Sequence, residues 1–362
     1  MAESVLDLPL NAVRDADEFV RAAMEWHFNP DTGSPFWLER AASLDFDPRT
    51  DVKSHDDLAL FPNVVNELRN VPVEALIPRG YGERPPIVGA YESGGTTGAP
   101  KRVVILRDWW DQVLAEVDRR LDLIGFPRGV NWLSMTPSGP HVIGETMVRL
   151  ARDRGGVAFF VDLDPRWVKK LLADGRTGDV DAYTEHLFEQ ARFLLRTQRI
   201  GVLMITGPML ARLGQHEDLV ELVNEKVDTI LWGGAHLDAD TRDLLRTEVF
   251  PGVNIRAGLG STMIGGGPVI ERPGTAEMPV LDPLSPAITF TVIDPATGQR
   301  VAYGERGRVV MNHVSRSMLL PNNLERDLAI RVEPLPGMVG DAIAEVYPVQ
   351  VFEDETVIEG VY

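Results

Sequence analysis

The stretch that decides the fold is a loop rich in glycine and hydroxyl residues, which leads into an apolar run. It reads Tyr91-Glu92-Ser93-Gly94-Gly95-Thr96-Thr97-Gly98-Ala99-Pro100-Lys101-Arg102-Val103-Val104. Glycines let a ligand approach the backbone closely, and consecutive main-chain N–H groups in such a loop form a concave anion site. Ser93, Thr96 and Thr97 add hydroxyl donors, and Lys101 adds a positive charge. The loop predicts a polyphosphate site, although its spacing is not that of a Walker A motif.

The order of residue types resembles the Ser-Gly-Thr-Thr-Gly-x-Pro-Lys loop of the adenylate-forming superfamily, which includes acyl- and aryl-CoA ligases. The match departs at Gly95, where the family usually has Gly-Thr directly after the serines. The resemblance covers about residues 85–345 and implies an α/β fold, the N-terminal domain of such a ligase. It also implies that ATP phosphates are held by Lys101 and by the loop residues Ser93, Gly94, Gly95, Thr96, Thr97 and Gly98.

Composition limits the classes of protein that the chain can represent. Its net charge of −18, from 54 acidic and 36 basic residues, disfavours nucleic acid as a partner, because phosphate neutralisation needs a basic face. The chain has no cysteine, which excludes disulfides, thiol nucleophiles and thiolate metal sites. No run approaches the ~20 apolar residues that cross a bilayer, and the N-terminus lacks a secretion signal. These features predict a cytoplasmic protein without a membrane partner.

Hydrophobic patterning divides the chain into three regions. Residues 1–85 read as a helical and irregular lead-in, with an amphipathic helix over residues 17–28. Residues 86–277 alternate short apolar runs with helices, one of them capped by Asp108, which is typical of a mostly parallel sheet covered on both faces. Residues 278–362 read as antiparallel strands and hairpins, a smaller β-rich subdomain.

Three further segments follow in the order of the superfamily. The first, Met135-Thr136-Pro137-Ser138-Gly139-Pro140-His141, resembles the segment that lies at the acyl pocket in the family. The resemblance implies a role for His141 there, although a loop histidine without any role is an equally good interpretation. Trp132, His141 and Trp232 near the expected pocket favour an aromatic acid.

The second segment resembles the family's adenine-binding and phosphate-binding parts. Gly233, Gly234 and Ala235 end an expected strand, and the pentad Leu259-Gly260-Ser261-Thr262-Met263 matches the family's Tyr-Gly-x-Thr-Glu. Thr262 is expected to contact the α-phosphate. Leu259 stands where the family has an adenine-stacking tyrosine, and Met263 stands where it has the glutamate that serves Mg²⁺. Because a thioether cannot replace a carboxylate on a hard cation, no metal ligand is assigned.

The third segment resembles the phenylacetate-CoA ligase branch, in which an Arg-Asp or Gly-Asp pair holds the ribose hydroxyls. Asp327 fits this place best, and Asp341 is the second choice. A solvated loop carboxylate is the plain alternative for each. The family usually continues into a mobile C-terminal domain that carries a catalytic lysine. No lysine follows Lys226, so that lysine and its domain are expected to be missing or supplied in trans.

Together these segments predict an ATP-dependent ligase that forms an acyl-adenylate and transfers the acyl group to CoA, a carrier protein or an amine. ATP and Mg²⁺ are the implied cofactors, with CoA as a possible third, and the chemistry is positioning and charge stabilisation. The expected catalytic residues are Lys101, Thr262 and His141. Two alternatives remain open: a nucleotide- or acyl-adenylate-binding protein without turnover, and an ATP-coupled enzyme that forms an amide.

Overall fold

The computed structural model describes residues 4–95, 99–349, 351–352 and 355–356. Its N-terminal part contains short 3-10 turns and three helices: α1 (Ala16–Phe28), α2 (Pro35–Ala41) and α3 (Pro48–Asp51). Asp15 caps α1, because its carboxylate accepts hydrogen bonds from the backbone N–H groups of Asp17 and Glu18. Helix α1 confirms the amphipathic helix expected over residues 17–28.

A hairpin brackets the glycine-rich loop. Its strands are β1 (Ile87–Glu92) and β2 (Arg102–Leu106), which pair antiparallel with Glu92 opposite Arg102 at the open end. The loop is therefore the connection of a hairpin, and the paired strands fix where it begins and ends.

Six strands form a sheet in the order β4-β3-β5-β6-β7-β8. They are β3 (Asn131–Met135), β4 (Ala158–Phe160), β5 (Ile200–Thr206), β6 (Thr229–Gly233), β7 (Asn254–Leu259) and β8 (Val269–Ile270). The first five run parallel, and β8 is antiparallel to β7. Along β5, Val202 and Met204 enter one hydrophobic core while Leu203 and Ile205 enter another. Both faces are buried, which explains the continuous apolar runs of the sequence.

Seven helices connect these strands and the hairpin: α4 (Arg107–Leu123), α5 (Val142–Asp153), α6 (Pro165–Ala173), α7 (Thr177–Thr197), α8 (Gly207–Leu213), α9 (Glu217–Lys226) and α10 (Ala239–Leu244), the last continuing into a π-helical turn over Leu245–Val249. The expected capping role of Asp108 is wrong: Leu106 occupies the cap position of α4 and Asp108 lies in its first turn. Among the described residues, no helix is long and apolar enough to span a membrane.

A second, antiparallel sheet follows, with strand order β10-β11-β12-β13-β9. Its strands are β9 (Val280–Leu281), β10 (Ile288–Ile293), β11 (Arg306–Val314), β12 (Leu319–Val332) and β13 (Ala342–Pro348). The short strands β14 (Val351–Phe352) and β15 (Glu355–Thr356) pair with each other near the C-terminus. The predicted fold class, a helix-covered and mostly parallel sheet with a β-rich part, is confirmed.

Candidate active site

A cavity of about 240 Å³ lies at the carboxyl edge of the parallel sheet. Residues at or just beyond the ends of four neighbouring strands line it: Thr136, Thr206, Gly233 and Leu259. Ligands of open α/β sheets bind at this edge, because the loops that leave the strands converge there. Ser93, Gly94, Gly95 and Lys101 of the glycine-rich loop line the same cavity.

The base of the glycine-rich loop is closed by two hydrogen bonds. The Ser93 N–H donates to the Lys101 carbonyl at 2.9 Å, and the Lys101 N–H donates to the Ser93 hydroxyl oxygen at 2.9 Å. These bonds extend the hairpin by one step and set the point from which the Lys101 side chain leaves the strand. Gly95 has φ +60°, a conformation that glycine adopts readily. The predicted residues Thr96, Thr97 and Gly98 lie outside the described residues.

Three basic side chains from two other elements, a 3-10 turn over Val65–Arg69 and α6, surround the loop. Arg69 lines the cavity and donates from Nε to the Ala99 carbonyl at 3.1 Å. Lys169 of α6 donates from Nζ to the Gly94 carbonyl at 2.5 Å. Arg166, also on α6, pairs with Glu92 at 2.5 Å, and this pairing lowers the pKa of the Glu92 carboxyl. In a chain of net charge −18, a local positive region of this kind suits an anionic ligand.

His141 lies at the wall of the cavity where α5 begins. Its side chain is buried, and burial, followed by the nearby Arg166 and Lys169, lowers its pKa to about 4. His141 is therefore neutral at pH 7 and acts as a hydrogen-bonding group instead of a cation. Beyond it the cavity wall is apolar and is formed by Val142, Ile143, Met204, Phe290, Val309 and Met311.

The segment Leu259–Gly267 forms another wall, and α4 holds it in place. The Trp109 indole Nε1 donates to the Ile264 carbonyl at 3.0 Å, and His313 Nδ1 donates to the Met263 carbonyl at 2.8 Å. Gly266 has φ +115°, and a Cβ atom there would lie 2.2 Å from the Trp110 ring, so this position requires glycine. Leu259, Gly260, Ser261, Thr262 and Met263 all line the cavity.

Two carboxylates on β12 face the glycine-rich loop across the cavity. Glu325 and Asp327 lie where the pairing of β12 with β11 shifts register, and this irregular stretch brings Glu325, Arg326 and Asp327 to the cavity wall together. Burial, followed by the negative charge of Asp327, raises the pKa of Glu325 to about 7, although Lys101 and Arg326 act in the opposite direction. Asn323 donates to Glu325 at 2.8 Å.

A second cavity, of about 110 Å³, adjoins the first. The two cavities share a boundary made of Gly233, Gly234, Gly258, Leu259, Gly260, Arg326, Asp327 and Val346. Its remaining wall combines the aromatic rings of Trp232, His236 and Tyr347 with aliphatic residues and with the charged side chains of Arg242 and Glu345. Ala235 also lines it. Trp232 therefore faces this smaller cavity. The expected place of Trp132 near the acid is wrong, because strand alternation turns its ring into the core against Phe126, 5.2 Å between centroids.

Asp341 is a buried residue with a structural role. Its carboxylate is buried and accepts hydrogen bonds from Arg331 Nε at 2.8 Å and from the Val292 N–H at 2.9 Å. Neither cavity is lined by Asp341, which contradicts its expected second-choice role at the ribose. Asp327, the first choice, lines both cavities.

Replacing Asp341 with alanine should lower the free energy of unfolding by about 2–4 kcal/mol, because it leaves Arg331 and a buried N–H without an acceptor. Urea denaturation measures this loss, and the exposed Asp174→Ala serves as the matched control. ATP affinity of the Asp341→Ala variant should equal that of the wild type at a temperature where both are folded. A stable variant with weakened ATP binding would return the ribose role to Asp341.

Sequence reasoning missed Glu325 and Lys169 as site residues. No sequence signal marks Glu325, because it lies in the stretch of β12 where the pairing with β11 shifts register. Lys169 follows β4 in the same way that His141 follows β3, at the carboxyl edge of the sheet. No local motif marks His236 or Tyr347, because the cavity that they share is made by segments far apart in sequence.

No family model matches the sequence, and no curated protein matches it significantly. Solved structures do match. An open conformation of 2-hydroxyisobutyryl-CoA ligase in complex with 2-HIB-AMP and CoA matches with TM-score 0.67 and 16% identity over 94% of this chain and 70% of that chain. The same ligase in the postadenylation state with R3-HIB-AMP matches with TM-score 0.66 and 15% identity over 98% of this chain and 72% of that chain. This chain has the adenylate-forming fold.

No group of three or more histidine or acidic side chains close enough to share an ion occurs among the described residues. Met263, at the place where the resemblance implies a metal-serving glutamate, offers a thioether, which is a poor ligand for Mg²⁺. The involvement of Mg²⁺ stays a prediction without assigned ligands, since Mg²⁺ in nucleotide sites is commonly bound by one or two carboxylates together with substrate phosphates.

Proposed function

We propose that the protein uses ATP to activate a carboxylic acid as an acyl-adenylate and then transfers the acyl group to an acceptor such as CoA. One observation carries this proposal: a basic loop, an apolar wall and a recess with aromatic residues adjoin one another around Leu259 and Asp327. Such an arrangement suits a ligand with a polyphosphate, a sugar, a base and an apolar acyl group. The adenylate-forming fold supports it further.

In the first step the acid carboxylate attacks the α-phosphorus of ATP, and pyrophosphate leaves. Lys101 and the loop N–H groups bind the phosphates, Thr262 contacts the α-phosphate and Asp327 accepts hydrogen bonds from the ribose hydroxyls. Lys101 favours the reaction because the hydrogen bonds between Ser93 and Lys101 fix its backbone before charge shifts onto the leaving pyrophosphate. Neutral His141 positions the carboxylate between the loop and the apolar wall.

In the second step a thiol or amine attacks the acyl carbonyl, and AMP leaves. The chain itself contains no cysteine, so the acyl group goes directly to a separate acceptor. The apolar wall of Val142, Ile143, Met204 and Phe290 suits an acid with an uncharged side chain, and an aromatic acid remains part of the proposal. CoA, a carrier protein and an amine are the acceptors to be compared.

Carboxylate-dependent pyrophosphate–ATP exchange tests the first step. A panel of aliphatic and aryl acids should include at least one that supports exchange above the acid-free rate. Equilibrium binding of ATP is measured on the same preparation. Measurable ATP binding without exchange for any acid contradicts adenylation and supports the binding protein without turnover, the candidate that Met263 and Leu259 favour.

Product analysis tests the second step once an active acid is known. The reaction is run with CoA, with simple amines, and with both, and products are separated by mass. Formation of acyl-CoA supports a thiol acceptor, whereas amide formed without CoA supports the amide-forming alternative.

A further inference from the structure

The turn that carries Thr262 is fixed by buried side chains from three other elements. This turn, a 3-10 helix over Thr262–Ile264, lines the larger cavity. Its last two carbonyls and the two that follow accept side-chain hydrogen bonds: Met263 from His313, Ile264 and Gly265 from Trp109, and Gly266 from Thr146. The last carbonyls of a helical turn have no partners inside it, so these donors determine where the turn lies.

His313 is the donor that comes from the antiparallel sheet. Trp109 belongs to α4 and Thr146 to α5, whereas His313 lies on β11. The His313 ring packs against the Trp109 indole with centroids 4.5 Å apart. Strand β11 also pairs with β12, which bears Asp327. The His313 ring therefore connects the turn of Thr262 to the sheet that carries Asp327.

The direction of each hydrogen bond around His313 is defined. Burial lowers the pKa of His313 to about 4, so the ring is neutral at pH 7 and carries one N–H. A carbonyl can only accept, so this proton lies on Nδ1, 2.8 Å from the Met263 carbonyl oxygen. Nε2 is then an acceptor, and the Ser315 hydroxyl donates to it at 2.9 Å. The Ser315 hydroxyl oxygen accepts in turn from the Met318 N–H at 3.1 Å.

The same path of hydrogen bonds reaches the N-terminal lead-in. His27 of α1 donates from Nε2 to the Ser315 carbonyl at 2.7 Å, and burial lowers the pKa of His27 to about 4 as well. A buried path therefore runs from α1 through Ser315 and His313 to Met263, the residue after Thr262. Turning the His313 ring over would place an acceptor nitrogen against the Met263 carbonyl. Such a mismatch is costly in a buried site, so the ring has one orientation.

We infer that His313 is a positioning residue for adenylation: through the Met263 carbonyl it fixes Thr262 at the place where the α-phosphate is attacked. This inference rests on the proposed function, since it takes Thr262 as the group that contacts the α-phosphate. His313 lies behind the cavity wall and does not line the cavity itself. Its effect on the reaction therefore passes through Thr262, and its loss frees the turn without removing a group that binds ATP.

A double-mutant cycle of His313 with Thr262 tests the inference by carboxylate-dependent pyrophosphate–ATP exchange. His313→Leu removes the donor and should lower the rate constant of exchange roughly 10- to 100-fold, the cost of a misplaced contact to the reacting group. In a Thr262→Ala background, His313→Leu should cause little further loss, because a positioning residue has no effect once the group it positions is gone. His313→Asn keeps an N–H near the place of Nδ1 and should retain most of the activity, whereas His313→Gln should not.

Calorimetric titration with inorganic tripolyphosphate checks that each variant is native, since the phosphate loop is not altered. Losses that add in the double variant overturn the inference, because His313 then acts independently of Thr262. Unchanged exchange in His313→Leu overturns it as well, and either result leaves adenylation itself intact. Absence of exchange in the wild type with every acid overturns the proposed function and this inference together. Should His313→Leu not fold, Ser315→Ala, which removes the donor to His313 Nε2, replaces it in the cycle with a smaller expected loss.

Discussion

Replacing Lys101 with alanine should lower carboxylate-dependent pyrophosphate exchange by about 100-fold or more, the usual effect of removing one fixed donor from developing charge. The affinity of the Lys101→Ala variant for ATP should fall by roughly 10- to 100-fold, because a charge-assisted hydrogen bond to phosphate is lost. Lys101 lines the cavity at the point where the Ser93–Lys101 hydrogen bonds close the loop. A substitution there removes the charge while the hairpin that bears it remains.

The matched control for Lys101 is Lys170→Ala. Lys170 is exposed on α6, and its ammonium lies over the Trp167 ring at 5.6 Å, so its loss should change neither exchange nor ATP affinity. Exchange and tripolyphosphate titration are both measured for each variant. Full exchange activity in Lys101→Ala would remove the loop from the phosphate-binding role.

ATP affinity should fall as the pH rises above 7, because two groups at the site titrate near neutrality. Burial, followed by the positive charges of Arg326 and Arg166, lowers the pKa of Lys169 to about 7. Burial, followed by the charge of Asp327, raises the pKa of Glu325 to about 7. Raising the pH removes a positive charge from the first group and adds a negative charge to the second. Both changes disfavour a bound polyanion.

Proton linkage gives the direction in which ATP affinity changes with pH. A bound polyphosphate favours the protonated forms of Lys169 and Glu325. Above pH 7 the free protein has lost these protons, so ATP binding takes them up again. With two such groups, the logarithm of the affinity falls by at most ~2 per pH unit. The Kd for ATP is expected to rise on the order of 10-fold between pH 7 and pH 8.5. His141, with a pKa of about 4, stays neutral in this range.

Variants of the two groups separate their contributions. Glu325→Gln should tighten ATP binding at pH 8.5 and reduce the slope. Lys169→Met should weaken binding at pH 6.5 and reduce the slope as well. Calorimetry at the two pH values, with tripolyphosphate in parallel, provides the measurement. An ATP Kd that is the same at pH 7 and pH 8.5 contradicts the assignment of both groups.

Lys169→Met should also raise the midpoint of thermal unfolding of the ligand-free protein. The pKa of Lys169 is lower in the folded chain than in the unfolded one, so its charge destabilises the fold. This destabilisation is complete below about pH 7 and disappears as the pH approaches the ordinary lysine pKa. The increase in the midpoint should therefore be larger at pH 6.5 than at pH 9.5, which differential scanning calorimetry can measure.

The segments of the candidate site that the sequence marked are those made of contiguous residues. The glycine-rich loop, the Gly233–Gly234 strand end and the Leu259–Met263 turn each carry a local pattern, and all of them line one cavity. Such segments are specified by their own turn-forming residues, so spacing along the chain is enough to find them.

Other parts depend on register and on long-range packing. Tyr347 lines the smaller cavity because β13 pairs with β12. The Trp132 ring lies in the core instead of a cavity wall, because side chains alternate between the two faces along β3. A shift of one residue in either strand would reverse the face on which such a side chain lies. Hydrophobic periodicity along the sequence does not determine the register of a strand. For this reason the aromatic residues of the sequence were predicted to lie beside the acid.

The positive loop has a further consequence for how quickly ligands arrive. Its charges belong to a molecule with net charge −18, which repels ATP at distances beyond the site itself. Added salt screens this long-range repulsion, with a Debye length of about 10 Å at 0.1 M, and also weakens the short-range attraction of the loop. The association rate constant should therefore rise with moderate ionic strength while the bound lifetime shortens. In this protein, added salt should speed the binding of ATP and shorten the time for which ATP stays bound.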